Sequence, residues 1–225
     1  MSTMLKVHLE TMFVLDASGR ILSTREPQAR SGPVFFLTRS PVECIWAIRS
    51  DVSDMVAEEL NRLAREEPPI SDFRAAPLHS ERYKSLIRGT VHSGPAFMFP
   101  QTIARPQNVV LIEDEQLLDR HFDGWIPGEI RAGRAPVMAV IDDGYPVSVC
   151  FCARRSNVAA EAGVETSPIF RGRGFGPRVT AAWALAVRAS GFIPLYSTGW
   201  PNKASLALAR KSGLEIYAAD WSILD

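Results

Sequence analysis

The residues most suited to chemistry are Arg171 to Gly176, which read RGRGFG. A strand pattern at 162–166 precedes them, and a helical pattern from Pro177 to Ser190 follows. A strand, a glycine-rich turn and a helix start form a device for holding phosphate. The N–H groups of a first helical turn point outward, and the helix dipole places partial positive charge there. Glycine lets an anion approach without a Cβ in the way. Arg171 and Arg173 add attraction for a small polyanion. Three phosphate-binding patterns compete for the stretch. A Walker A loop needs Lys then Ser or Thr after its second glycine, and that pair is absent. The dinucleotide fingerprint G-x-G-x-x-G is met by Gly172 and Gly174 but has Pro177 at its third glycine. The third pattern, R-x-x-G-x-G, is spelled by Arg171, Gly174 and Gly176.

A second set of residues lies one helix and one strand downstream: Asn202, Ser205, Gly213 and Leu214. Together with R-x-x-G-x-G and with Pro168, three residues before Arg171, they resemble the two signatures of the GNAT superfamily of acyl-CoA-dependent N-acyltransferases. The resemblance covers about 108–225. It implies an acetyl-CoA donor, and a cofactor site of Val164, Thr166, Arg171, Gly172, Arg173, Gly174, Phe175, Gly176, Asn202 and Ser205. In such a site the turn holds the pyrophosphate through backbone amides, the strand ending at Thr166 grips the pantetheine arm as an edge partner, and Asn202 contacts that arm with its side chain. It also implies that this strand splays from the one after the glycine-turn helix.

Acyl transfer from a thioester to an amine further requires a base, oxyanion donors and departure of a thiolate. An alkylammonium has a pKa of about 10, so a carboxylate acts on it directly or through water. Glu165, on the strand beside the cofactor, is the favoured base, with Glu161 four residues earlier on the same segment as the other candidate. Many GNAT enzymes place an acidic tyrosine seven residues after the Asn, and here that position is Ala209. Tyr196 and Tyr217 are the local replacements. The acceptor expected is a primary amine of a small molecule or peptide, with Trp125 and Trp200 as candidate pocket walls. The alternative is a module that binds acyl-CoA as a regulatory ligand without turnover.

The elements that must position these groups fall into two regions. Residues 107–225 are expected to form a GNAT-like domain, a mixed and mostly antiparallel sheet flanked by helices. Its elements are a short run at 109–112, a helix at 114–122, a hairpin of 137–141 and 147–153 about Asp142-Asp143-Gly144, and strands at 162–166 and 192–198. The glycine-turn helix carries Val179, Ala182, Trp183, Ala186 and Val187 at helical spacing, and Gly191 closes it. A helix at 202–212 and one or two final strands complete the region. Residues 1–106 read as a small α+β region. It has strands at 11–15, 21–24, 34–38, 44–48 and 96–99, a helix capped by Ser53 and stopped by Pro68-Pro69, and a short helix at 80–87. Its role is read either as an appendage that grips substrate or forms a homodimer, or as a stabilising extension.

Composition bounds the rest. The chain has 225 residues, 46% hydrophobic and 22% charged, with zero formal net charge. Neutrality argues against nucleic acid and anionic membrane as partners. Three cysteines form no disulfide framework and suit a reducing cytoplasm. Cys150 and Cys152 alternate along one strand and read as packing residues; four scattered histidines show no ligand spacing, so no metal is expected. Lys6, His8 and Glu10 interrupt the early apolar residues, so no signal peptide is read there. No apolar run approaches the length of a membrane span.

Overall fold

The computed structural model describes residues 3–225. The fold is α+β, and the chain divides into two compact units. The first runs to Phe97 and also takes in Ser197–Asn202 and Ile216–Asp225; the second holds Met98–Tyr196 and Lys203–Glu215. The division therefore differs from a single cut at residue 106, because two late segments belong with the N-terminal region.

The first unit opens with helix α1 (Met4–Met12), which takes in the first two residues of the strand expected at 11–15. Leu5, His8 and Leu9 stand at i, i+3 and i+4 on its buried face, and counting His8 as polar hides that stripe. Its Nε2 lies 2.9 Å from Asp220 Oδ2, a partner 212 residues away that local pattern cannot show. The Thr3 side chain accepts from Lys6 N–H and caps the helix start. β1 (Phe13–Leu15) and β2 (Ile21–Thr24) form the expected hairpin.

β3 (Phe35–Arg39) and β4 (Cys44–Ile48) pair antiparallel. β3 is buried at every position, as a strand covered on both faces must be. Phe35 and Leu37 join Leu60 and Leu63 of α2 (Asp54–Arg65) and Tyr83 of α3 (Ser80–Leu86), whereas Phe36 packs with Leu9 and Phe13. Ser53 precedes α2 but makes no side-chain capping bond. β5 (Thr90–Met98) completes the contribution of the N-terminal region.

The second unit begins with β6 (Val110–Ile112), and the 114–122 stretch forms only a 3₁₀ turn at Glu115–Leu118. Glu115 explains the short element. Its carboxylate accepts from Gly128 N–H at 2.6 Å and Ile130 N–H at 2.5 Å, which folds the following segment back over the turn. β7 (Val137–Asp142), β8 (Tyr145–Arg155) and β9 (Ala159–Thr166) form an antiparallel meander with β6. α4 (Phe175–Ala189) packs Val179, Trp183 and Val187 on one sheet face. Leu118, Phe122 and the partly buried Trp125 and Ile130 cover Val149 and Phe151 on the other. From α4, Arg178 donates to the carbonyls of Gln107 and Asn108, and Arg188 to those of Phe99, Pro100 and Gln101. These bonds pin the segment that leads into β6. β10 (Ile193–Ser197) and α5 (Lys203–Lys211) follow.

The tail is one strand, β11 (Glu215–Leu224), which pairs antiparallel with β3. Strand order in the first unit is β4-β3-β11-β5, and in the second β10-β9-β8-β7-β6.

Candidate acyl-CoA site

The site is built around the edge of β9. β10 pairs with it in parallel over three residues, Ala159 to Glu161. Beyond Glu161 the edge facing away from β8 has no strand partner among the described residues, so the backbone of 162–166 offers donors and acceptors there. The pairing ends where the resemblance placed a splay. Val164 and Thr166 are half-buried on this stretch. Ser148 fixes its end on the β8 side: its Oγ lies 2.7 Å from Thr166 Oγ1.

The glycine turn follows directly. Gly172 and Gly174 have φ of +79° and +77°, a region that favours glycine. Gly174 is the residue before α4, so no side chain caps that helix start, and the first turn contains no acidic residue. Its N–H groups and partial positive charge are uncompensated by any side chain. A Cβ at either glycine would meet nothing within 4 Å, so the surface above the turn is open to a ligand. The arginines have a different role from simple anion attraction. Arg171 Nε donates to the Thr166 carbonyl at 3.1 Å, and Arg173 donates to the Ile169 carbonyl at 3.4 Å with its guanidinium 4.9 Å from the Phe170 ring centre. Arg171 braces the turn to the strand end, and Arg173 braces it to the short turn at 168–170. Phe175 and Gly176 form the first helical positions, half-buried, with Arg178 over the Phe175 ring.

Glu165 lies opposite Val149 in the β8–β9 register, on the face shared by Phe151 and Gly163. A Cβ on Gly163 would fall 2.5 Å from the Phe151 ring, so glycine lets that ring lie across β9. Arg134 sits over the Phe151 ring and Trp125 meets its edge. Glu165 keeps much of its surface in solvent, yet desolvation of its carboxyl raises its pKa; Arg134 opposes the rise and Glu129 adds to it. Glu129 is itself buried and bonded to Arg134 at 3.4 Å. Arg134, Glu129 and Phe151 belong to no motif, and sequence reasoning missed them. Glu161, the other base candidate, is 3% exposed and paired with Arg154 at 2.7 Å.

The tyrosines separate. Tyr196 is buried on β10, and burial raises its pKa while a hydrogen bond with Ser205 of α5 lowers it. The structure thus joins two of the sequence-predicted residues. Ala209, fully buried on the same helix, offers no acid. Tyr217 lies on β11 in the first unit, edge-on to the buried His8 ring. Asn202 is exposed and immediately precedes α5, at the end of the 197–202 segment of the first unit. Burial pushes the Cys152 thiol up to about 11 and raises Cys150 as well, as befits packing residues. Among the described residues no group of three or more His, Cys, Asp or Glu is arranged to hold a metal ion, and no helix is long and apolar enough to cross a membrane.

A mixed sheet that opens at β9 beside an uncapped, glycine-led helix defines an acyltransferase-like fold. Residues 136–219 match the family model described as GNAT acetyltransferase. Solved structures agree on the fold. A proposed acetyltransferase of the GNAT family from Novosphingobium aromaticivorans superposes with a TM-score of 0.50 at 19% identity, over 59% of this chain and 64% of that one. A GNAT-family acetyltransferase from Colwellia psychrerythraea gives 0.50 at 12% identity, over 80% and 76%. The chain therefore spans just under two thirds of the length of the first of these relatives. No curated protein matches the sequence.

Proposed function

We propose that this protein transfers an acetyl group from acetyl-CoA to a primary amine of a small molecule or peptide, in the cytoplasm. The observation that carries the reading is the continuity of the unpaired β9 edge with the uncapped start of α4. An extended arm lies along the first while its pyrophosphate meets the N–H groups of the second. In the reaction the amine nitrogen attacks the thioester carbonyl, a C–N bond forms, the C–S bond breaks, and the thiolate leaves. The amine must first lose a proton. Glu165 suits that step, because its raised pKa makes it a stronger base than an ordinary surface carboxylate.

An amine acceptor is supported by a cavity of about 480 Å³ in the second unit. Trp125 and Ile126 supply apolar wall, and Glu113, Asp114 and Asp119 place carboxylates around it, with Arg131 also in the lining. An ammonium group on an alkyl chain fits such a lining by charge and by aromatic contact. A regulatory acyl-CoA binder is the second reading. It is favoured by Ala209, and by a Tyr196 hydroxyl already engaged with Ser205.

Incubation with acetyl-CoA and a panel of primary amines, following free thiol, distinguishes the two. Thiol release that depends on the amine supports transfer. Tight CoA binding without thiol release supports the regulatory module.

A further inference from the structure

On the sheet face turned away from α4, Phe151 lies opposite Gly163 in the β8–β9 register, and Glu165 stands two residues further along that face. The Phe151 ring lies across β9 because position 163 carries no side chain. A Cβ there would fall 2.5 Å from Phe151 Cε2 and 2.7 Å from its Cζ. The Arg134 guanidinium rests on this ring, 4.9 Å from the ring centre. Arg134 Nη2 also donates to Glu129 Oε1 at 3.4 Å, and the two side chains are only 17% and 5% exposed. The Arg134 Nε is buried with no hydrogen-bond partner. A long hydrogen bond and a ring face thus hold this cation, so its place depends on the ring. Trp125 fixes the ring from its edge, with centroids 5.0 Å apart. Glu115 clamps the intervening segment through the N–H groups of Gly128 and Ile130.

We infer that Arg134 is a positioning residue for the transfer: seated on Phe151 and tied to Glu129, it holds a fixed positive charge near Glu165 and keeps that carboxylate ready to take the acceptor's proton. The inference rests on the reading of Glu165 as the base, and adds the device that sets its strength. On this face β7 and β8 present Val137, Ala139, Val149 and Phe151, all apolar. The charges that act on Glu165 therefore come from the segment folded over them. Burial of the Glu165 carboxyl disfavours its ionised form, Arg134 favours that form and Glu129 opposes it. By pairing with Arg134, Glu129 also offsets its charge, which spares an ammonium acceptor the full repulsion of a lone guanidinium. Phe151 and Gly163 act through Arg134, because together they build its seat.

The test reads Glu165 directly, by the carboxyl carbon-13 chemical shift against pH in the full chain labelled at glutamate. The resonance is assigned by its loss in Glu165→Gln. Arg134→Ala is expected to raise the Glu165 titration midpoint, since a charge that favours the carboxylate is gone. Gly163→Ala is the sharper variant. It removes no charge, yet its methyl group must push the Phe151 ring and the arginine resting on it. It is expected to raise the midpoint too, and the double variant to raise it no further than Arg134→Ala alone. A site merely loosened to water would move the midpoint down, because burial is what raises it. Should Gly163→Ala fail to fold by thermal melting, Phe151→Leu takes its place with the same expectation. At saturating acetyl-CoA, the rising limb of turnover against pH should move to higher pH in each variant. A midpoint unchanged or lowered in Arg134→Ala, or in the folded ring variant, overturns the inference; so do additive shifts. The base reading fails separately: if Glu165→Gln keeps near-normal turnover, Glu165 is not the base, and this inference falls with it.

Discussion

The two units differ in where their backbone edges and helix ends find partners. In the first, several polar side chains meet distant protein partners, although Thr38 Oγ1 and Arg39 Nε are buried without one. His8 meets Asp220, the Glu67 carboxylate accepts from Leu78 N–H, His79 N–H and the Tyr83 hydroxyl, and Arg49 grips Asp225 with both terminal nitrogens. In the second, an edge of β9 and the first turn of α4 keep their backbone groups for an incoming molecule. A buried polar group without a partner costs free energy, so a fold that only needed to persist would cap such a helix and cover such an edge.

The largest expected effect tests the chemistry of the second unit. Glu165→Gln should lower turnover by ~10²–10⁴-fold, the share of a general base, with CoA affinity nearly unchanged because the strand backbone makes that contact. In the wild type, turnover should rise with pH as Glu165 deprotonates, through a pKa above the ordinary carboxylate value. The variant should lose that limb. Initial rates against pH at saturating acetyl-CoA decide it, and a near-normal profile in Glu165→Gln removes the residue from the mechanism.

Next in size is the turn. Gly174→Val forces a β-branched residue to φ +77° and puts a side chain into the space above the helix start. A weakening of CoA binding by about tenfold or more is expected, given ~1–2 kcal/mol for the left-handed conformation alone. Wild-type affinity in the folded variant would contradict the placement of the pyrophosphate.

The matching experiment in the first unit should move stability. His8→Ala leaves the largely buried Asp220 carboxylate without its partner, and should lower the unfolding free energy by about 1–3 kcal/mol in urea. An unchanged midpoint would mean that the pair contributes nothing.

The smallest effects concern side chains that brace. Arg171→Ala should weaken CoA only a fewfold, since Arg171 bonds the Thr166 carbonyl and the backbone amides remain. Tyr196→Phe should lower turnover less than ~10²-fold, below the share of a general acid, because the hydroxyl is held inside by Ser205. A larger loss than that would restore Tyr196 as the acid.

Much of the second unit was legible because its instructions are local. The glycine turn, the helical spacing of Val179 to Val187, and the Asp142-Asp143-Gly144 hairpin each lie within a few residues of the structure they specify. The first unit was less legible because its instructions are distant. α1 was hidden by His8, whose polar ring is buried only because Asp220 comes back from β11. The tail was legible as strand, but its pairing with β3 depends on partners about 180 residues earlier and leaves no local mark. Within the site, Arg134 and Glu129 went unnoticed for the same reason. Their effect on Glu165 arises only when the 125–134 segment folds over Phe151.

The contrast between the two units is tested most directly by amide hydrogen exchange with and without saturating CoA. New protection is expected along 162–166 and 172–178 of the second unit, with the amides of β3 in the first unit unchanged. Protection spread evenly over both units, or absent from 162–178 while CoA is bound, would contradict it.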